Sequence, residues 1–383
     1  MLKCCLIRAL TDSVPLINPP LDDIAAMRAA LDQAAKGLFL TSPNPRVGCV
    51  IGRDGQILAA GHTQRAGEAH AEIDALRDAA SRGVDVRGAT VYVTLEPCSH
   101  HGRTPPCTGA LIAAGVSRVV AAIEDPNPLV AGKGVAQLRA AGIVVETGVL
   151  ADEAREMNIG FFHRMQQGRP WVRLKIAASL DGGTALPNGQ SQWITSSAAR
   201  DDGHAWRARA CAIMTGIGTV QQDNPQLTVR ALETPRQPQR IVVDSQLDID
   251  PAARVLEGGG TWIITTEAHS EQRARRLRDA GAEVMVLPTE GVKVDLKALM
   301  QELGRREVNE LHVEAGYKLN GSLLRMGCVD EMLMYFAPCL LGPAQGIARL
   351  PELQQLSDRV PMRFHRIEAV GDDLRVITRL NNL

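Results

Sequence analysis

Aromatic residues are scarce in this 383-residue chain, at 3% of positions. That scarcity weighs against stacking platforms for nucleic-acid bases. Charge of one sign is not in excess either: the formal net charge is −1, where a nucleic-acid carrier would show a basic surplus. No apolar run approaches the length that spans a bilayer. The eight cysteines (4, 5, 49, 98, 107, 211, 328 and 339) are spread out, unlike a disulfide scaffold, and fit a reducing compartment. A G-x-G-x-x-G fingerprint is lacking, so an ordinary dinucleotide-binding unit is not indicated.

What is present is ample material for cores, with 45% apolar and 22% charged residues, and a length that favours two domains. Residues 1–20 carry Lys3 and Arg8 around Cys4–Ile7, an apolar run too short for a signal peptide. They are expected to form a disordered or loosely docked, flexible extension on a cytoplasmic enzyme.

Helical spacing runs from Leu21 to Ala35 and stops at Gly37. Strands are predicted at Val47–Ile51 and Ile57–Ala60 around the turn Arg53-Asp54-Gly55-Gln56. A helix from about Ala69, strands at Thr90–Leu95, Arg118–Ile123 and Ile143–Thr147, and helices near Thr108–Ala114 and Gly134–Ala141 complete a mixed sheet covered on both faces. Ala151–Gly168 reads as one charged helical stretch ending at Gly168-Arg169-Pro170, the expected boundary between units 21–165 and 170–383. A second alternation follows, opening with strand Trp171–Ala178 and helix Ser197–Arg209.

The chemistry concentrates between residues 70 and 107. His70-Ala71-Glu72, Pro97-Cys98 and Cys107 supply one imidazole, two thiols and an acid. Zinc takes such donors tetrahedrally, and a catalytic site keeps its fourth position for water. His70, Cys98 and Cys107 would fill three positions. Glu72, two residues past the first ligand, would move protons for hydrolysis at a ring carbon bearing an amine. A structural zinc completed by His100 or His101 is the competing assignment.

The run Thr94-Leu95-Glu96-Pro97-Cys98-Ser99-His100-His101-Gly102-Arg103-Thr104-Pro105-Pro106-Cys107 closely resembles the bifunctional riboflavin-biosynthesis deaminase/reductase family. Three further segments agree: Pro43–Gly48, Ala66–Glu72 and Asp125-Pro126-Asn127-Pro128. So do Leu174–Gly182, Ser191–Thr195, Asp223–Arg230 and Val313–Gly316 in the second half. The resemblance implies an α/β chain with a cytidine-deaminase-like α/β/α domain followed by a dihydrofolate-reductase-like α/β domain.

It further implies one zinc ion and NADPH as cofactors, a pyrimidine ribose phosphate as substrate, and a homo-oligomer without nucleic-acid or membrane partners. The first domain would convert 2,5-diamino-6-ribosylamino-4(3H)-pyrimidinone 5′-phosphate to 5-amino-6-(5-phosphoribosylamino)uracil. The second would reduce the ribosyl group to ribityl. Asn44 would hold the pyrimidine edge, and the loop with His100, His101 and Arg103 would shape the pocket around ring and ribose phosphate, supplying donors for the phosphate. Ala177, Trp193, Thr219, Asp223, Ser245 and a loop of Gly316, Tyr317, Lys318, Leu319, Asn320, Gly321 and Ser322 would line the NADPH site. Ser191, Arg207, Leu227, Arg230 and Glu314 would contact the second substrate, with the two arginines suited to clamp its phosphate. Lys175 and Asp181 would stand near the reacting ribose. The alternative is a nucleoside or transfer-RNA deaminase with an accessory domain.

Overall fold

The computed structural model describes residues 22–99, 106–128 and 130–380. The expectations for residues 1–20 and for His100, His101 and Arg103 lie outside them.

The first helix, α1 (Asp23–Lys36), starts where the Asp22 carboxylate accepts the Ala25 N–H at 2.6 Å. Its apolar face (Ala26, Met27, Ala30, Leu31) packs on a five-stranded sheet. The strands are β1 (Gly48–Arg53), β2 (Gln56–His62), β3 (Thr90–Val93), β4 (Arg118–Ala121) and β5 (Val144–Thr147), in the order β2-β1-β3-β4-β5. Strand β1 is antiparallel to both neighbours, and β3, β4 and β5 are parallel. The hairpin turn holds Asp54 and Gly55 both at positive φ, the geometry that matches strand twist.

Helices α2 (Ala71–Ser81), α3 (Cys107–Ala114) and α4 (Lys133–Ala140) pack on this sheet. Gly61 on β2 lets α2 descend onto the strand, since a Cβ there would lie 2.3 Å from the Ala75 nitrogen. The opening turn of α2 is thereby fixed relative to the sheet.

The stretch expected as one helix is two, α5 (Ala151–Met157) and α6 (Ile159–Gln167). They break at Asn158, whose amide accepts the Arg46 N–H at 2.7 Å and donates to the Arg46 carbonyl at 2.8 Å. That buried side chain serves the strap before β1 as a neighbouring strand would.

The second sheet contains β6 (Trp171–Ser179), β7 (Ala212–Gly216), β8 (Gln239–Val243), β9 (Trp262–Thr266) and β10 (Glu283–Leu287). A small hairpin, β11 (Thr289–Glu290) with β12 (Lys293–Val294), stands apart. Then come β13 (Glu310–Val313), β14 (Glu331–Ala337), β15 (Met362–Val370) and β16 (Asp373–Leu380). The nine-stranded order is β10-β9-β8-β7-β13-β6-β14-β16-β15, parallel up to β14 and antiparallel beyond. Helices α7 (Ser197–Arg209), α8 (Ile217–Asp223), α9 (Glu271–Asp279), α10 (Leu296–Arg305) and α11 (Tyr317–Arg325) connect these strands. The hairpin β15–β16 is not expected from the sequence. The stretch expected as a loop over Gly316–Ser322 is the start of a helix: only Gly316 precedes α11.

Candidate active sites

His70 caps α2 and Glu72 sits in its first turn, while Cys98 follows β3 and Cys107 opens α3. His70 Nδ1 lies 3.6 Å from Cys98 Sγ and 3.4 Å from Cys107 Sγ, and all three donor atoms fall within 4.8 Å of one another. The long separation between the cysteines closes because α3 starts against Cys98. The Cys107 amide donates to Cys98 Sγ at 3.4 Å, and the Thr108 amide and hydroxyl both donate to the Cys98 carbonyl at 3.2 Å.

The hydrogen bond from Cys107 pulls the Cys98 thiol down to about 4 against burial, with help from His70, and the Cys107 thiol is pushed up in turn. The sulfurs thus retain a proton that a bound cation would release. Two sulfurs and one imidazole nitrogen at this spacing suit zinc. Glu72 is only 4% exposed, and burial pushes its carboxyl up to about 7, where an acid can both give and take a proton at neutral pH.

These groups open into a cleft of about 370 Å³ whose walls include Asn44, Glu68, Asp125 and Asn127. Glu96 underpins it. Its carboxylate accepts the N–H groups of Asp125, Gly132, Gly134 and Val135 at 2.9–3.2 Å, fixing the loop into α4. Gly134 is needed there, since a Cβ would lie 2.0 Å from the Pro97 carbonyl oxygen.

The second group of residues gathers at the carboxyl ends of four adjacent parallel strands, where α/β sheets hold ligands. Ala177 is near the end of β6, Thr219 follows β7, Ser245 follows β8 and Gly316 follows β13. A Cβ on Gly316 would be 3.7 Å from Thr219 Oγ1, so the starts of α8 and α11 converge. Thr215 Oγ1, buried at the end of β7, has no partner among the described residues. The Thr219 and Ser245 hydroxyls, the two helix starts and this unsatisfied oxygen fit a phosphate-bearing nicotinamide cofactor.

Not all of the 316–322 stretch faces this mouth. Asn320 and Gly321 are buried: Asn320 donates to the Ile347 carbonyl at 2.9 Å, and a Cβ on Gly321 would lie 2.1 Å from the Arg349 oxygen. Ser322 returns its hydroxyl to the Lys318 carbonyl, while Tyr317 and Leu319 are half-buried and Lys318 is exposed. Trp193 is 71% exposed under the Arg200 guanidinium, at 4.6 Å, rather than part of a core. The loop carrying it and half-buried Ser191 is held beside α8 by Gln222, which donates to the Gly189 carbonyl at 2.6 Å. Asp223 ends α8 in an exposed position.

Arg207 grips Glu314 through Nε and Nη2, at 2.6 and 2.8 Å, and donates through Nη1 to the Thr228 carbonyl. Arg230 is exposed and bonds Thr228 Oγ1 at 3.0 Å, and buried Leu227 braces that turn. His204, pushed down to about 4 by burial and then by both arginines, marks their shared neighbourhood. Arg207 is therefore committed to Glu314 in this state, and Arg230 keeps more free donors. Burial lowers the Lys175 ammonium, opposed by Glu314. Asp181, expected near the ribose, accepts the Leu341 and Gly342 amides.

Residues 21–123 match the family described as "Cytidine and deoxycytidylate deaminase zinc-binding region", and residues 170–376 match "RibD C-terminal domain". The chain is 48% identical over 362 residues to the riboflavin biosynthesis protein RibD of Escherichia coli K12, covering 91% of this chain and 96% of that one. The chain belongs to the RibD family.

Solved RibD structures agree across both sheets. An Acinetobacter baumannii RibD superposes with a TM-score of 0.85 at 40% identity, covering 94% of this chain and 99% of the other. A Thermotoga maritima protein described as a diaminohydroxyphosphoribosylaminopyrimidine deaminase/5-amino-6-(5-phosphoribosylamino)uracil reductase gives 0.81 at 32%, covering 94% and 98%. As a RibD, the chain is a bifunctional enzyme with a zinc-binding deaminase domain and a reductase domain, which calls for zinc and a nicotinamide cofactor. Sequence reasoning assigned no role to Glu96, although it lies inside the quoted motif. It also missed Arg164 and Glu307 in the cleft wall, which no local pattern flags.

Proposed function

We propose that the first cleft hydrolytically deaminates 2,5-diamino-6-ribosylamino-4(3H)-pyrimidinone 5′-phosphate, and that the second site reduces the deaminated ribosyl product to its ribityl form with NADPH. The observation that carries this reading is the convergence of His70 Nδ1, Cys98 Sγ and Cys107 Sγ beside buried Glu72, in one chain with a reductase sheet. One zinc ion per deaminase domain would be held by those three side chains, and when bound it makes water a nucleophile at neutral pH. Asn44 orients the pyrimidine edge. Glu72 would take one proton from water and hand it to the ring nitrogen. It would then carry the second, from the hydroxyl newly formed on the ring carbon, to the amine, which leaves as ammonia while the carbonyl forms.

In the second site the nicotinamide supplies hydride to the sugar carbon. The carboxyl ends of β6, β7, β8 and β13 support the cofactor, with Ala177, Trp193, Thr219, Asp223, Ser245 and the Gly316–Leu319 end of α11 around it. Arg230 and Arg207 receive the substrate phosphate beside Ser191, Leu227 and Glu314. We assign the deaminase unit to residues 21–165 and the reductase unit to 170–383.

We also read the chain as a cytoplasmic homo-oligomer. All six described cysteines are unpaired, as a reducing compartment would keep them. Among the described residues no helix is long and apolar enough to cross a membrane. The edge strand β15 presents Phe364 at 74% exposure, a surface suited to a second copy.

The test is a coupled assay on zinc-loaded protein with the aminopyrimidine phosphate and NADPH. Ammonia release should precede NADPH oxidation. Glu72→Gln should retain zinc and lower ammonia release by about 10²-fold or more, leaving reduction of supplied product intact. Arg207→Ala should do the reverse. Zinc-loaded wild type that releases no ammonia rejects the reading.

A further inference from the structure

One wall of the deaminase cleft is not built by the deaminase sheet. Arg164 and Met165 of α6 line it, and Glu307, from the turn before β13, faces it from the second unit. Arg164 donates through Nε to Asn309 Oδ1 at 2.6 Å, and Asn309 Nδ2 donates to the Pro43 carbonyl at 2.7 Å. A single buried amide of the second unit therefore ties α6 to the strap that carries Asn44.

That bond uses one edge of the guanidinium. Its Nη1 and Nη2 groups have no hydrogen bond or ion pair among the described residues. Burial disfavours the Arg164 charge, and Glu307 supports it through space without closing an ion pair. Among the described lining residues the acids are Glu68, Glu72, Glu96, Asp125 and Glu307, and Arg164 is the one permanent cation. A phosphate monoester entering such a cleft needs a cationic fork with free donors, and a part-buried guanidinium with open N–H groups needs an anion.

We propose that Arg164 binds the phosphate of the deaminase substrate and that Asn309 positions it, so that the second unit completes the first site. This rests on the deaminase reading above. In the full-length, zinc-loaded enzyme, Arg164→Met should raise KM for the phosphorylated pyrimidine by about tenfold or more, the scale of a charge-assisted hydrogen bond, with kcat little changed. With the dephosphorylated riboside, the variant and wild type should share one KM. Arg164→Lys should recover part of the loss. Asn309→Leu should give a smaller rise that also vanishes without the phosphate. NADPH oxidation with supplied product reports that each variant is folded.

An unchanged KM in Arg164→Met, or an equal rise with both substrates, overturns the proposal. Wild type that releases no ammonia from either substrate overturns the deaminase reading, and the proposal falls with it.

Discussion

Glu96 shows how much one side chain can organise. Its two carboxylate oxygens are shared among four backbone N–H groups, so the loop between β4 and α4 stays over the cleft. Glu96→Gln turns part of that acceptor into a donor facing other donors. The expected cost is about 1–3 kcal/mol in unfolding free energy, with ammonia release falling and NADPH oxidation unchanged. Gly134→Ala should act at the same spot, because its methyl meets the Pro97 carbonyl. Overpacking of this kind costs about 1–3 kcal/mol, readable by thermal melting. The cluster of His70, Cys98 and Cys107 was legible because few residue types suit a zinc ion and their spacing is distinctive. Glu96 and Asn309 were not, since their roles are hydrogen bonds to backbone that is distant in sequence.

At the scale of elements, β13 joins the two units. Its first residue, Glu310, is 1% exposed and meets Arg46 of the first unit at 2.6 Å, Arg209 at 2.8 Å and Arg173 at 3.0 Å. Burial alone would raise this carboxyl, but the three guanidinium charges outweigh it and hold it well below 4.5. Removing one partner of such a buried cluster is strongly destabilising, and Glu310→Ala should cost about 3–5 kcal/mol in chemical denaturation.

The pH dependence follows from the direction of that shift. Below pH 4.5 the unfolded chain takes up the proton first, so this group's stabilisation is complete above that pH and lost as pH falls through the folded value. Glu310→Gln should therefore flatten the acid limb of the stability curve by up to about 1.4 kcal/mol per pH unit. Most strands and helices were readable from alternation and helical spacing. The break at Asn158 was not, because it answers to Arg46 more than a hundred residues away. The β15–β16 hairpin also escaped, since β15 is exposed on nearly every residue and carries no alternating signal.

For the whole molecule, the second sheet is closed at one end by β15, whose unpaired side and exposed Phe364 invite pairing with another chain. Phe364→Lys should shift the enzyme to a smaller species in analytical ultracentrifugation while both half-reactions continue. The joint between the units carries a consequence for anyone wishing to borrow one activity. A fragment cut after Gln167 would surface Arg46 stripped of its counter-charge, and the complementary piece would bare Glu310 to water beside two crowded arginines. Neither catalyst comes off the shelf as a spare part.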